Sequence, residues 1–462
     1  MKVNGLTKTI GLIGCPVEHT LSPMIHNHLS EVCGDNYVYL PFHVEKDDVK
    51  AAVKGAKALS VQGLNVTVPH KQAVMPYLVD IDEAAGVIGA VNTLVPVDGG
   101  YKGYNTDMEG LRQAIHSEHI ALQGRTVVIL GAGGASKAVV YMCMLEGAKK
   151  VYLLNRTVNK AEEIAIAMNA HFGKGDVIVP MALEAYGDIH ENDMIVFQAT
   201  SIGLAPNVDD VVLSDVSFYK KVAVGVDLIY NPAETQFMKL VKAAGGVAYN
   251  GLKMLLYQGV IAYGYWTNRS FESLQPYCNE IYEKMYHSIH KLDNIVLIGF
   301  MGSGKSTVGM ALAEKMGFAF LDTDAYIEKK AGMSISEIFE NHGEGYFREL
   351  ETNVIRELME TTNHTVFSTG GGMPLRDENA SLLRLLGTTV YLQASAKETY
   401  ERVKDDDKRP LLQCEDPYGR IVALLEERRP LYERASHLCI QTDGKTVDSI
   451  VDEVIKQMED LV

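Results

Sequence analysis

The stretch Thr126-Val-Val-Ile-Leu-Gly-Ala-Gly-Gly-Ala-Ser136 decides the fold class. Its first five residues are β-branched or aliphatic, the composition of a strand buried on both faces. Gly131 and Gly133 follow at once, and a helical pattern runs behind them over residues 136–146. Glycines at such a junction permit a tight turn and let main-chain N–H groups approach a pyrophosphate at the helix N-terminus. Ser136 takes the third small position. The same pattern also describes an ordinary strand-to-helix turn, so the flanking sequence has to decide between them.

The next strand, 151–154, ends in Asn155-Arg156-Thr157, where a site built for NAD carries an acidic residue for the ribose hydroxyls. A cation suits a 2′-phosphate instead. Lys160 lies four residues after Arg156, and a helical continuation would turn both charges toward one phosphate. Further β-rich runs at 9–13, 37–42, 63–68 and 194–198 each precede a helical pattern, which predicts parallel α/β sheets with ligands at the carboxyl ends of strands. A fresh apolar strand at 294–300 follows a polar helical stretch, 280–293, which is the predicted domain boundary.

A chain of 462 residues exceeds what one core organises, and an apolar content of 47% supports folded domains throughout. The formal charge of −16 argues against a nucleic-acid surface, so anionic ligands must be held by a few placed cations. Cys15, Cys33, Cys143, Cys278, Cys414 and Cys439 show no CxxC spacing and read as reduced thiols, with neither a zinc site nor a disulfide framework indicated. The apolar run 10–17 is broken by Gly and Pro and leads into Glu18 and His19, which makes a poor signal peptide and is too short to span a bilayer. A cytoplasmic protein without a membrane partner is expected.

Along Gly63-Leu-Asn-Val-Thr-Val-Pro-His-Lys71, strand alternation places Asn65 and Thr67 on a polar face and Val66 and Val68 on a core face. The segment resembles the NVTxPxK signature of the shikimate dehydrogenase family. Further resemblances arrive in family order: Thr20-Leu-Ser22-Pro23, Gly89-Ala-Val-Asn-Thr93, Gly103-Tyr-Asn-Thr-Asp107, the glycine turn, Asn155-Arg-Thr157, Ala199-Thr-Ser201 and Gly251-Leu-Lys-Met-Leu-Leu-Tyr-Gln258. Nearly all of residues 1–288 is covered. The resemblance implies Lys71 and Asp107 as the catalytic pair beside a nicotinamide. Hydride delivery to a ketone builds negative charge on oxygen, which a positioned ammonium stabilises and protonates, and a carboxylate fixes that ammonium. The resemblance further implies Thr20, Ser22, Asn65, Thr67, Asn92, Tyr230 and Gln258 around the substrate. It implies Gly131, Ala132, Gly133, Gly134, Ala135, Asn155, Arg156, Thr157, Lys160 and Thr200 around NADP. Two positions depart from the family: Thr20 stands where Ser is typical, which bears on the choice between shikimate and quinate, and Gln198 stands where Asn commonly precedes Ala-Thr-Ser, which bears on cofactor contact.

Gly299-Phe-Met-Gly-Ser-Gly-Lys-Ser306 satisfies GxxxxGK[ST] after an apolar strand at 295–298. Main-chain N–H groups of such a loop cradle phosphates, Lys305 reaches the β- and γ-phosphates, and Ser306 ligates Mg²⁺. The acceptor is not specified by the loop. The strand 318–321 ends in Asp322-Thr323-Asp324, a spacing that puts both carboxylates on one side, one for magnesium and one for the acceptor hydroxyl. With Phe347-Arg348-Glu-Leu-Glu351, Gly370-Gly371-Gly372, Arg409-Pro-Leu-Leu412 and Glu427-Arg428-Arg-Pro-Leu-Tyr432, this half resembles shikimate kinase. That resemblance implies Asp322 near the metal with Ser306, and Asp324 as substrate ligand and base. It implies ATP on Gly302, Ser303, Gly304, Lys305, Ser306, Thr307 and Arg402, with the acid on Asp324, Arg348, Gly370, Gly371, Gly372 and Arg428. Arg409 lies in the polar stretch 404–419, which reads as a lid carrying a catalytic cation onto the phosphates.

The expectation is an α/β chain of two enzymes. A two-lobed dehydrogenase occupies 1–288, with a substrate lobe at 1–106 and 250–288 and a Rossmann-type NADP lobe at 107–249; a P-loop α/β kinase occupies 289–462. NADP(H), ATP and Mg²⁺ are the implied cofactors, and 3-dehydroshikimate and shikimate the implied small-molecule partners. Three readings stay open at this point: quinate or NAD in the first half, another small metabolite as acceptor in the second, or a catalytically silent module in either.

Overall fold

The computed structural model describes residues 3–404 and 414–459. The chain divides into two compact units, Met1–Met285 and Tyr286–Val462, and the division falls inside the helix Cys278–His290.

The first unit holds two six-stranded sheets. One orders its strands Tyr37–His43, Lys8–Gly14, Leu64–Val66, Thr93–Val97, Gly100–Tyr104 and Asp80–Ile81. Its first three strands are parallel, and Leu64–Val66 then pairs antiparallel with Thr93–Val97. The other is wholly parallel, in the order Val247–Tyr249, Val222–Asp227, Met194–Gln198, Thr126–Leu130, Lys150–Asn155 and Ile178–Ala182. Strands are added outward in both directions from Thr126–Leu130, so a crevice opens at its carboxyl end, where such sheets bind ligands. Val127, Val128, Ile129 and Leu130 are completely buried, each contributing about 1.5–3 kcal/mol to the core.

The helices Thr106–Ser117 and Leu252–Thr267 pack closely in this unit. A Cβ at Gly110 would lie 2.6 Å from the main-chain nitrogen of Gln258, so the approach needs a residue without a side chain. Asn105 fixes the start of the first helix by accepting the Met108 N–H at 3.1 Å, which places Asp107 in its first turn.

The second unit is one parallel sheet, ordered Ala319–Asp322, Thr365–Ser368, Ile295–Ile298, Thr388–Gln393 and Leu438–Gln441. The helix Lys305–Met316 follows the central strand across a glycine-rich turn. Among the described residues, no helix is long and apolar enough to cross a membrane.

Two local expectations fail. The run 63–68 is a strand only over Leu64–Val66, and Val68 is 66% exposed rather than core. Pro69 has no N–H for the ladder and biases the residue before it, so alternation stops there and the chain leaves the sheet toward Lys71. Arg156 and Lys160 share no helical face, because the helix Val158–Phe172 begins only after Thr157.

Candidate active sites

A cavity of about 320 Å³ lies at the carboxyl ends of Lys8–Gly14 and Leu64–Val66. Thr20, Ser22, Asn65, Thr67, Lys71, Asn92, Asp107, Tyr230 and Gln258 all line it. The dehydrogenase residues that the sequence scatters over 239 positions are thereby brought to one place. The Lys71 ammonium donates to Asp107 Oδ2 at 2.6 Å, and Asn92 Nδ2 donates to Asp107 Oδ1 at 2.9 Å. Asn92 is itself locked, since its Oδ1 accepts the Thr106 N–H at 2.7 Å. Both carboxylate oxygens are therefore held, while the ammonium has three hydrogens and spends one on Asp107.

Asn65 behaves differently from a free ligand. It is 4% exposed; its Oδ1 accepts from His26 Nε2 at 3.1 Å and from the Tyr39 hydroxyl at 2.8 Å, and its Nδ2 donates to Asn92 O and Thr93 Oγ1. Burial pushes His26 down to about 3, so the ring is neutral and stacks on Tyr39 at 4.2 Å. The amide of Asn65 thus braces the cavity wall. Thr20 Oγ1 donates to Ser22 Oγ at 3.1 Å. His19 also lines the cavity, and adjacency to Thr20 is its only signal in the sequence.

A second cavity, of about 460 Å³, is lined by Gly131, Ala132, Gly133, Asn155, Arg156, Thr157, Lys160 and Thr200. Gly131 has φ +107°, and a Cβ there would lie 2.6 Å from Thr200 Cγ2, so this turn requires glycine. Asn155 Oδ1 accepts the Ala132 N–H at 3.2 Å and ties the turn to the next strand. Cations on one wall and a helix N-terminus on another fit a dinucleotide with an extra phosphate. Gly134 does not line this cavity; it lines a neighbouring one of about 400 Å³ with Gln72, Lys137 and Lys160. Ala135 is exposed in the first turn of the helix Gly134–Leu145 and lines neither cavity. Lys137 is a further cation at this neighbouring cavity, and its only signal in the sequence is its place one turn into the helix behind the glycines.

The departure at Gln198 has a structural counterpart. Its Oε1 accepts the Thr200 N–H at 2.6 Å, and its Nε2 donates to Ile202 O at 3.0 Å and Asp227 Oδ1 at 3.3 Å. Asp227 is fully buried, which raises its carboxyl to about 6, and it also accepts from the Thr235 hydroxyl at 2.6 Å.

In the second unit, Lys305 Nζ donates to Gly299 O and Phe300 O, each at 3.0 Å. Ser306 Oγ donates to Asp322 Oδ2 at 3.2 Å and lies 3.0 Å from Ser368 Oγ, a neighbour that the sequence did not mark. Asp322 and Asp324 do not share a strand face: the strand ends at Asp322, which caps the helix Thr323–Ala331 by accepting the Asp324 and Ala325 N–H groups. Helical geometry, not β alternation, sets their spacing. Burial, and then the charge of Asp322, raises the Asp324 carboxyl to about 6. A side chain at Gly370 would collide with Asp324 Oδ1, so this glycine makes room for the carboxylate.

Arg348 Nη1 donates to Glu351 Oε2 at 2.9 Å and its Nη2 to Glu344 Oε1 at 3.0 Å, beside Gly372. Glu351 is 1% exposed, and burial lifts it to about 6. Gly371 O accepts from the Tyr432 hydroxyl at 2.7 Å. Arg402 donates to Gly302 O at 3.1 Å and to Glu398 at 2.9 Å, while Thr307 is exposed on the loop's helix. Among the described residues, four buried polar atoms of the second unit have no protein partner: Ser303 Oγ, Asp324 Oδ1, Thr399 Oγ1 and Arg428 Nε. An unsatisfied buried group costs about 1–3 kcal/mol, and this set suits phosphate oxygens and a hydroxylated acid. Arg409 lies outside the described residues. Part of the stretch read as a lid is helical, since Pro417–Ala435 begins there with Asp416 as its cap.

Residues 12–94 match the family of the shikimate dehydrogenase substrate binding domain, 113–206 match shikimate / quinate 5-dehydrogenase, and 301–459 match shikimate kinase. A shikimate dehydrogenase (NADP⁺) of Desulforamulus reducens is 40% identical over 267 residues, covering 58% of this chain and 92% of that protein. A crystal structure of a shikimate dehydrogenase in complex with NADP⁺ superposes with a TM-score of 0.55 at 39% identity, over 61% of this chain and 97% of the other. The enzyme of Thermus thermophilus in complex with NADP(H) and shikimate gives a TM-score of 0.51 at 30% identity, over 60% and 100%.

Proposed function

Because the chain belongs to the shikimate dehydrogenase family and carries a shikimate kinase domain after it, we propose that one polypeptide performs two successive steps. It reduces 3-dehydroshikimate to shikimate with NADPH, then phosphorylates the new 3-hydroxyl with ATP. Residues 1–106 and 250–288 form the substrate lobe and 107–249 the NADP lobe in this reading.

Bound NADPH would supply the hydride, and ATP with Mg²⁺ the phosphoryl group. Arg156 and Lys160 would take the 2′-phosphate, the loop 299–306 the ATP phosphates, and Ser306 with Asp322 the metal. The observation that carries the first step is the 2.6 Å Lys71–Asp107 pair within a polar cavity. Lys71 lowers the energy of the developing alkoxide and donates the proton; Asp107, braced by Asn92, keeps the ammonium aimed. In the second unit, Asp324 is ionised near neutrality and takes the proton of the acceptor hydroxyl. Arg348 and Arg428 bind the acid's carboxylate, Arg348 by exchanging a protein carboxylate for it.

Incubating the full chain with 3-dehydroshikimate, NADPH, ATP and Mg²⁺, then identifying products by mass, tests both steps. Shikimate should accumulate without ATP, and its phosphate ester with it. Failure to oxidise NADPH would remove the first assignment, and accumulation of unphosphorylated shikimate despite ATP the second.

A further inference from the structure

Outside the substrate cavity, three side chains of different chemistry converge at the carboxyl ends of the first two paired strands. Gly14 pairs with His43 across the ladder, so Cys15, the next residue, emerges beside His43, and Glu45 follows two residues on. Cys15 Sγ lies 3.4 Å from His43 Nε2 and 3.9 Å from Glu45 Oε2, and His43 Nε2 lies 3.1 Å from Glu45 Oε1. A zinc tetrahedron with a bond of about 2.3 Å to sulfur and about 2.0–2.1 Å to nitrogen and oxygen has S···N, S···O and N···O edges of roughly 3.6, 3.5 and 3.3 Å. The Cys15 Sγ–His43 Nε2 distance stands close to its edge, while Glu45 reaches His43 with Oε1 and Cys15 with Oε2, so a turn of that exposed carboxylate brings one oxygen to the metal position.

A fourth group completes the arrangement. Glu18 Oε1 lies 3.6 Å from His43 Nδ1, the ring nitrogen that does not face the cluster, and a carboxylate in that position orients a metal-bound imidazole. Glu18 is held in turn by the Val17 N–H, which reaches its Oε2 at 3.0 Å. His43 and Glu45 are exposed, so a fourth coordination position is open to water. We propose that Cys15, His43 and Glu45 bind a thiophilic divalent cation of the zinc type, and that its occupancy slows the dehydrogenase half. On binding, the Cys15 thiol releases its proton to solvent and the thiolate sulfur takes the metal. The slowing rests on the proposed function: the segment 16–20 directly follows the ligand Cys15, and its Pro16, Val17, His19 and Thr20 line the substrate cavity. Tying Cys15 to His43 and Glu45 restrains that wall.

The competing account is a surface hydrogen-bond cluster in which His43 sits between two carboxylates. Co²⁺ titration of the full chain, in excess Mg²⁺ to occupy other carboxylate sites, separates the two. The wild type should take up Co²⁺ with a thiolate-to-cobalt charge-transfer band and the strong visible bands of tetrahedral coordination. Cys15→Ser should abolish the charge-transfer band, and His43→Gln should weaken binding at least tenfold. Both variants should reduce 3-dehydroshikimate at the wild-type rate without metal, which also reports that they are folded. Zn²⁺ should then slow reduction by the wild type far more than by either variant, leaving phosphorylation untouched. A charge-transfer band retained in Cys15→Ser, or equal affinities in all three proteins, would overturn the site. Tight binding with no effect on reduction would overturn the regulatory role alone.

Discussion

In the first unit Lys71 and Asp107 hold each other, whereas in the second Lys305 and Arg402 donate to loop carbonyls and Arg348 to two carboxylates. The contrast follows from the charge each reaction handles. Hydride transfer develops charge on one oxygen, so a single ammonium fixed by a doubly held carboxylate is enough. Phosphoryl transfer brings a polyanion, and its cations must be numerous yet not left unpaired when the ligand is gone. On the proposed function, loop carbonyls and the carboxylates of Glu351, Glu344 and Glu398 would be those placeholders, while Ser303 Oγ, Asp324 Oδ1 and Arg428 Nε have no protein partner.

The largest expected effect breaks the comparison at its centre. Lys71→Ala should lower the turnover of reduction by about two to four orders of magnitude while phosphorylation of added shikimate stays near normal, and Lys305→Ala should do the reverse. Coupled assays with each half's substrate supplied separately make the measurement. Loss of both activities in either variant would mean that the two sites are not independent. Next comes Gly370→Ala, whose methyl group collides with Asp324 Oδ1. Displacing that carboxylate should cost about a hundredfold in phosphorylation and nothing in reduction. A rate within twofold of wild type would show that Asp324 is not the group receiving the proton.

A smaller effect probes the cofactor wall. Arg156→Ala should raise the Michaelis constant for NADP by about tenfold or more, the value of one charge-assisted hydrogen bond, and leave that for NAD nearly unchanged. Equal changes would show that Arg156 does not read the 2′-phosphate. Since Lys160 lines the same cavity from the first turn of the next helix, some preference for NADP should survive.

The parts of this molecule that the sequence made legible are those in which one residue type answers one steric demand. Gly131 must be glycine at φ +107°, and Lys305 must follow a glycine-rich turn, so the sequence alone places both turns. Side-chain direction was legible only while the secondary structure stayed regular. Alternation assigns Val68 to the core only if the strand reaches it, and it aligns Asp322 with Asp324 only on a strand that continues past Asp322, where this one stops. Residues that act by bracing others gave no signal, as with His26 and Tyr39 behind Asn65. The same holds for Cys15, His43 and Glu45: their ligand atoms meet across a strand pair, so no CxxC-like spacing announces them.

The contrast between the sites extends to acid. Asp324 has a folded value of about 6 against an ordinary 3.8, so phosphorylation kcat/KM should fall about tenfold per pH unit below 6, as the base is protonated. The sign for stability is opposite. A carboxyl raised on folding contributes stability below its unfolded value, and that contribution is lost as pH rises through about 6. Glu351, raised to about 6 as well, acts in the same window. The second unit without ligands should therefore lose thermal stability between about pH 4 and 6, over the range in which it gains activity. A flat kcat/KM profile across pH 5–7 would remove Asp324 as the base.

The smallest effect concerns Thr20, where the chain adds one methyl group to the serine typical of the family. The hydroxyl does the same work in either residue, since Oγ1 donates to Ser22 Oγ and accepts the Ser22 N–H at 3.2 Å. Thr20→Ser should therefore leave the reduction of 3-dehydroshikimate within about twofold of wild type, because neither the brace nor the Lys71–Asp107 pair is disturbed. What changes is room. Quinate carries a tertiary hydroxyl where shikimate has a ring double bond, so it needs space that a methyl group on the cavity wall takes away. One methylene-sized group in a binding pocket is worth about 1–3 kcal/mol when fully enclosed, and Thr20 is only part-buried, so the gain should sit at the low end. The ratio of quinate to shikimate oxidation should rise by less than about tenfold, measured with NADP at saturating levels of each acid. A fall in the ratio would show instead that the methyl group packs on the quinate ring and helps to hold it, which would make Thr20 a contact favouring the bulkier acid.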